Sequence, residues 1–161
     1  MLPDPSSRLR RARASDVPAL LPLMRAFNRA EGIPFRRARI EKALRLLLRT
    51  RRLGTVLVAE ARHELVGYVV GTFGFDLEFG GPDGFITEIF VAPEHRRAGL
   101  GRRLIDAIVD DARDAGAGAL TLLVYPKNVA ARALYARAGF EELPRVAMTR
   151  RLPIRRWPRT L

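Results

Sequence analysis

Cysteine is absent from the chain, which excludes disulfides, thiolate zinc sites and cysteine nucleophiles. Histidine is nearly absent: His63 and His95 stand apart without ligand-like spacing, which argues against a histidine-built metal site. The serines, Ser6, Ser7 and Ser15, all lie near the N-terminus and outside any nucleophile-elbow context, so a serine triad is disfavoured too. No apolar run approaches the ~18 residues of a membrane span. The opening MLPDPSSRLRR lacks the apolar core of a signal peptide. The expected location is cytoplasmic, with no membrane partner. Lysine is scarce as well: only Lys42 and Lys127 occur, so arginine carries almost all of the positive charge.

What is present fits a globular protein. The 161 residues are 48% apolar and 29% charged, enough for one domain with a full core. The expectation is a single domain over 1–161, with a core of about 8–152 and a basic tail over 153–161. The net charge of +12 favours anionic partners, whether nucleic acid, an acidic surface or a phosphorylated small molecule. A solvated basic surface would give the same number, so charge alone decides nothing.

Patterning predicts an α/β chain. RLRRARA (8–14) reads as an edge strand, and Ser15 or Asp16 as the cap of a helix bearing Val17, Leu20, Leu21, Met24 and Phe27. A second helix is predicted over 37–50. Strands over 54–60 and 65–75 form a hairpin, and 76–84 is a loop or second hairpin tip. FITEIFVA (85–92) is apolar on both faces and reads as a central strand. A helix follows with Leu100, Leu104, Ile105, Ile108, Val109 and Ala112 in phase, then a strand over 119–125. Strand, helix, strand at this spacing is a crossover, so those two strands should be parallel. Asn128 is placed to cap a further helix, and FEEL and RVAMTRRL read as two last short strands.

The informative stretch is FVAPEHRRAGLGRRLIDAIV, Phe90 to Val109. A helix N-terminus exposes unpaired N–H groups and partial positive charge. Phosphate satisfies both, and glycine lets it approach. Arg96, Gly99 and Gly101 between a strand and a helix therefore read as a phosphate cradle, with Arg97 and Arg102 adding charge. A plain strand-to-helix turn is the competing reading. The Gly-Lys-Ser/Thr ending of a Walker loop and the full dinucleotide fingerprint are both missing.

NVAARALYARAGF, Asn128 to Phe140, supplies a second signal. Val91, Pro93, Arg96, Gly99 and Gly101, followed by Asn128, Ala131, Leu134, Tyr135, Gly139 and Phe140, resemble the motifs of the GCN5-related N-acetyltransferase superfamily. The resemblance spans about residues 8–152. It implies a mixed, twisted sheet of six to seven strands flanked by about four helices, with acetyl-CoA in a cleft between two splayed parallel strands.

What the resemblance implies is a direct acetyl transfer from acetyl-CoA to a primary amine. The backbone of Arg97, Ala98, Gly99, Leu100, Gly101 and Arg102, with Arg96, would hold the pyrophosphate. The backbone of Ile89 and Val91 would meet the pantetheine arm and thioester, as an added strand would. An N–H there would stabilise the oxyanion. Asn128 would hold the arm, a role compatible with a helix cap. Tyr135 would protonate the departing thiolate; on residue pattern alone it is an amphipathic tyrosine at a helix edge. Many members carry glycine where this chain has Arg97. Glu88, an ionisable residue in an apolar strand, is the candidate base, the alternative being an arginine-paired carboxylate. Asp76, Glu78 and Asp83 form a second acidic set. No metal is expected, the acceptor is open, and a homodimer is left open. Two other readings stand beside this one. The first is a basic nucleic-acid-binding protein, which the lack of a basic recognition helix and of a stacking pattern disfavours. The second is a non-catalytic acetyl-CoA sensor.

Overall fold

The computed structural model describes residues 7–153. The expected behaviour of the far C-terminal tail, 154–161, lies outside them. In chain order the elements are β1 (Arg8–Arg11), α1 (Val17–Ala30), α2 (Arg37–Arg49), β2 (Gly54–Ala61), β3 (Glu64–Asp76), β4 (Gly81–Val91), α3 (Leu100–Asp114), β5 (Leu120–Leu122) and α4 (Val129–Arg137). The sheet runs β1-β2-β3-β4-β5. Its first four strands are antiparallel neighbours, and β5 lies parallel to β4 across the α3 crossover.

Period-2 alternation sends the central strands' side chains to two faces. One face holds Val56, Val58, Tyr68, Val70 and Phe90 beneath Val17, Leu20, Leu21 and Met24 of α1 and Leu44 of α2. The other holds Leu57, Ala59, Val66, Val69 and Ile86 beneath Leu100, Leu104 and Ile108 of α3. The crossover helix thus covers one face and the N-terminal helix pair the other.

Four expectations need correction. The sheet has five strands among the described residues, not six to seven: FEEL and RVAMTRRL form no strand, and 141–153 is exposed throughout. The segment 119–125 pairs over only three residues, because β5 leaves β4 after Leu122. Asp16 stands at the N-cap position of α1, but its side chain does not cap the helix. It receives the Arg10 guanidinium at 2.7 and 2.9 Å and the Arg13 N–H at 2.7 Å. The acceptor group that patterning reads as a cap is spent on joining α1 to β1. At the other hairpin, β4 begins at Gly81, so only residues 77–80 form the tip.

Candidate functional site

The site begins where two strands part. β4 and β5 pair at Gly84–Leu120, Phe85–Thr121 and Ile86–Leu122 and nowhere beyond, while β4 continues to Val91. A bulge at Thr87 (Glu88 opposes Val70 and Ile86 opposes Gly71) resets the strand just there. Past the bulge, the Ala92 N–H donates to the Val66 carbonyl at 2.9 Å. In an antiparallel ladder successive residues turn their N–H and C=O to alternate sides. Glu88 and Phe90 therefore bond to β3, and Ile89 and Val91 turn theirs to the side that β5 has vacated. An extended ligand could add to this edge as a strand does.

Beyond Val91 the chain passes a short turn, Pro93–His95, and reaches Arg96 in an extended conformation. Arg97 then adopts φ 64° and Gly99 φ 74°. For glycine the left-handed region is free, but for arginine it is costly. Helical bonding starts with the Arg103 N–H to the Gly99 carbonyl at 3.1 Å, and the N–H groups from Arg97 to Arg102 have no protein acceptor among the described residues. That is the donor arrangement an anion needs at the head of a fifteen-residue helix. A Cβ on Gly99 would meet nothing within 4 Å, so this glycine answers to backbone angle and leaves open space above the turn. Gly101 differs: a Cβ there would come 3.3 Å from Leu134 of α4, so its smallness serves helix packing. Leu100 is core, at 4% exposure; only its N–H faces the turn's opening.

The arginines divide. Arg96 donates Nε–H to the Val91 carbonyl at 2.8 Å and lies over the Phe90 ring. Arg102 is held by Asp106 at 2.8 Å and by the Arg137 carbonyl, at the end of α4, at 2.7 Å. Arg103 is bound to Ser7. The charge expected from Arg102 is thus largely neutralised by its own helix. Arg97 makes no side-chain hydrogen bond or ion pair among the described residues, and its guanidinium alone is uncommitted.

Glu88 lies on the α1 face of β4. Its Oε2 accepts the Tyr68 hydroxyl proton at 2.7 Å. No arginine pairs with it among the described residues, so the arginine-paired alternative is replaced by a tyrosine donor. Burial raises the Glu88 carboxyl above its ordinary range, and the Tyr68 hydrogen bond opposes part of that rise. Tyr68 is fully buried. Burial and the neighbouring carboxylate push its phenol far up, so it stays a donor. The bond is invisible in the sequence, since Tyr68 reads as one more strand residue until the register sets it opposite Phe90.

On the far side, Asn128 caps α4, its Oδ1 accepting the Ala131 N–H at 3.2 Å. Tyr135 is half-buried and meets Phe140 edge-on at 6.0 Å between centroids. Burial raises its phenol, and the charge of Glu31, at the end of α1, raises it further. Tyr135 therefore holds its proton at neutral pH. The other acidic set is spent locally: Glu78 takes Arg145 in two bonds of 2.8 Å, and Asp76 accepts the Glu78 N–H at 2.8 Å. His95 sits in the turn before α3, away from Glu88 and Tyr135 in role and element. Among the described residues no group of three potential ligands could hold a metal. No helix among them is long and apolar enough to cross a membrane.

Comparison with known proteins agrees with this geometry. The chain is 31% identical over 137 residues to the uncharacterized N-acetyltransferase YhfO of Bacillus subtilis (strain 168), covering 83% of this chain and 89% of that protein. It is 33% identical over 86 residues to an L-amino acid N-acyltransferase of Escherichia coli (strain K12), over 53% of this chain and 49% of that one. An integron cassette protein from the mobile metagenome of Cole Harbour Salt Marsh superposes with a TM-score of 0.81 at 33% identity, over 90% of both chains. The model of the Acetyltransferase (GNAT) family matches residues 20–140, a span that holds the parted strands, the arginine-glycine turn, Glu88 and Tyr135. The chain belongs to the GNAT acetyltransferase family.

Proposed function

We propose that this protein transfers the acetyl group of acetyl-CoA directly to a primary amine, with Glu88 and Tyr135 handling the two protons. The observation that carries the reading is the order of two features along the chain, an unpaired strand edge and then a turn of unpaired N–H groups. The edge of Ile89 and Val91, of which the Val91 carbonyl is met by Arg96, is followed through the Pro93–His95 turn by the unpaired N–H groups from Arg97 to Arg102. An extended arm ending in a pyrophosphate matches that edge and that turn in order. Acetyl-CoA supplies an activated thioester. The Ile89 or Val91 N–H would polarise its carbonyl, and Asn128 would help hold the pantetheine arm.

The acceptor arrives as an ammonium, with a pKa near ~10 if it is lysine-like. It must lose a proton before it attacks the thioester carbon. The Glu88 carboxylate takes that proton, directly or through water, and its raised basicity suits the task. As the carbon–sulfur bond breaks, the Tyr135 hydroxyl gives its proton to the departing sulfur. With no cysteine to carry the acetyl group, amine and thioester meet in one ternary complex.

Release of free CoA with a panel of primary amines tests both roles. Glu88→Gln should lower kcat/KM by about 10²–10⁴ and abolish the acid limb of the pH profile. Tyr135→Phe should lower kcat about 10²-fold or more while acetyl-CoA binding is retained. Full activity in either variant would remove that residue from the mechanism. Binding of acetyl-CoA by the parent with no CoA release from any amine would favour the sensor reading.

A further inference from the structure

The helix that carries Tyr135 is held at its end by a side chain from α3. α4 has nine residues, none of them buried, and a helix that short is marginal without outside contacts. Its start is held from within its own stretch of chain. Asn128 caps it, and Arg132 binds Glu142 and, at 3.2 Å, the Pro126 carbonyl. The end is different. A helix leaves its last four carbonyls without a partner inside the helix. Here the Ala138 N–H donates to Leu134 and Tyr135, the Gly139 N–H to Ala136 at 3.0 Å, and the Phe140 N–H back to Tyr135 at 3.0 Å. With Gly139 at φ 90°, this is a Schellman ending. It leaves the Arg137 carbonyl without a backbone donor among the described residues.

Arg102, on the first turn of α3, supplies that donor. Its Nη1 donates to the Arg137 carbonyl at 2.7 Å. Its Nε–H meets both oxygens of Asp106, one turn along the same helix, at 2.8 and 3.0 Å. A guanidinium is a rigid, planar fork, so fixing Nε fixes the direction of the other nitrogens. Asp106 thereby aims Arg102 at α4. Positive charge at a helix C-terminus is favourable in itself. Among the described residues this is the one polar contact between α3 and α4, and it lies beside the apolar contact of Leu134 with Gly101.

The carbonyl so held is two residues from Tyr135. The Tyr135 carbonyl closes the Schellman ending, and its ring meets Phe140 edge-on. We infer that Arg102 is a positioning residue: by holding the Arg137 carbonyl it fixes the end of α4, and with it Tyr135, relative to α3. One residue then joins the two halves of the site, its N–H among the free donors of the turn and its side chain on the helix that carries the acid. The consequence for catalysis rests on the proposed roles of acetyl-CoA and Tyr135; the hold on α4 does not. A guanidinium spent in this way is not a pyrophosphate ligand, and the two roles separate in kinetics. Losing a phosphate contact weakens acetyl-CoA binding, whereas losing a positioning contact lowers kcat and spares binding.

Arg102→Met keeps an aliphatic stem and removes both polar contacts. Its kcat should fall about ten- to hundredfold, with acetyl-CoA affinity unchanged in calorimetric titration. Asp106→Asn leaves the guanidinium but loosens its aim, and should lower kcat less, in the same direction. A phosphate ligand freed of its neutralising carboxylate would instead bind acetyl-CoA more tightly. In a Tyr135→Phe background, Arg102→Met should cost nothing further, because changes that act through one group are not additive. Amide hydrogen exchange of α4 reads the hold without turnover and should quicken in Arg102→Met. Unaltered exchange overturns the inference. So, where Tyr135→Phe is impaired, does parent kcat in Arg102→Met, a loss of acetyl-CoA affinity in its place, or an equal further loss in the Tyr135→Phe background. Faster exchange in Arg102→Met together with full activity in Tyr135→Phe supports the hold on α4 and counts against the functional reading alone.

Discussion

Residues 7–112 and residues 113–153 are built on different terms. Over 7–112 a helix layer on each side buries both faces of an antiparallel sheet, and Val17, Leu20, Tyr68, Leu104 and Ile108 are wholly inaccessible. Over 113–153, β5 has three residues, α4 has nine, and nothing is buried. A helix that short is marginal without packing. The proposed chemistry draws on both regions: Glu88 and the free edge of β4 come from the rigid one, Tyr135 and Asn128 from the exposed one. The difference teaches that one wall of the cleft is fixed by the core, while the other rests on a few partly buried contacts, Leu134 against Gly101 and Phe140 against the α3 core among them.

The contrast breaks first at the core. Leu104→Ala, at 0% exposure, should cost about 2–5 kcal/mol at any protein concentration. Met148→Ala, at 92% exposure, should cost within about 0.5 kcal/mol. Denaturant titration reads both, and equal costs would erase the distinction between the regions.

A second comparison sets the two left-handed residues of the turn side by side. Arg97→Gly should raise stability by about 1 kcal/mol, since Arg97 carries strain that Gly99 does not. The same variant loses the one uncommitted guanidinium at the turn, so acetyl-CoA should bind more weakly. A rise in Tm together with weaker binding is the expected pair. A fall in Tm would contradict the strain.

The smallest effect concerns Glu88. Its carboxyl is raised by burial and lowered by the Tyr68 hydrogen bond. Removing the bond with Tyr68→Phe leaves burial unopposed, so the carboxyl rises further and the acid limb of the rate profile moves to higher pH. Stability follows the same sign. A carboxyl whose folded pKa is raised favours folding while protonated, and that contribution is lost as pH climbs through the folded value. Glu88→Gln should therefore gain stability relative to the parent above that pH. An acid limb that stays in place in Tyr68→Phe would detach the tyrosine from the base.

How much was legible in the sequence depended on whether the signal was local. The arginine-glycine turn, the cap at Asn128, the α3 crossover and the apolar stripe of α1 are written in neighbouring residues, and the structure places each where the pattern puts it. The Tyr68–Glu88 bond depends on register between strands, and the Thr87 bulge shifts that register with no glycine or proline beside it in its own strand; Gly71 stands opposite, on β3. The engagement of Arg102 by the end of α4 and of Asp16 by Arg10 was hidden for the same reason. The two missing C-terminal strands fail differently. Their alternation is real and β5 offers an edge, but alternation alone does not make a strand, and nothing pairs with that edge among the described residues.

Acetyl-CoA binding at the turn before α3 is the central claim. Calorimetric titration of the purified protein with acetyl-CoA, repeated with Gly99→Glu, measures it most directly. Saturable binding is expected of the parent, and none of a variant whose circular dichroism shows that it is still folded, because the new side chain brings bulk and negative charge to the pyrophosphate's place. A folded parent that takes up no acetyl-CoA, or a folded variant that binds as tightly as the parent, would contradict it.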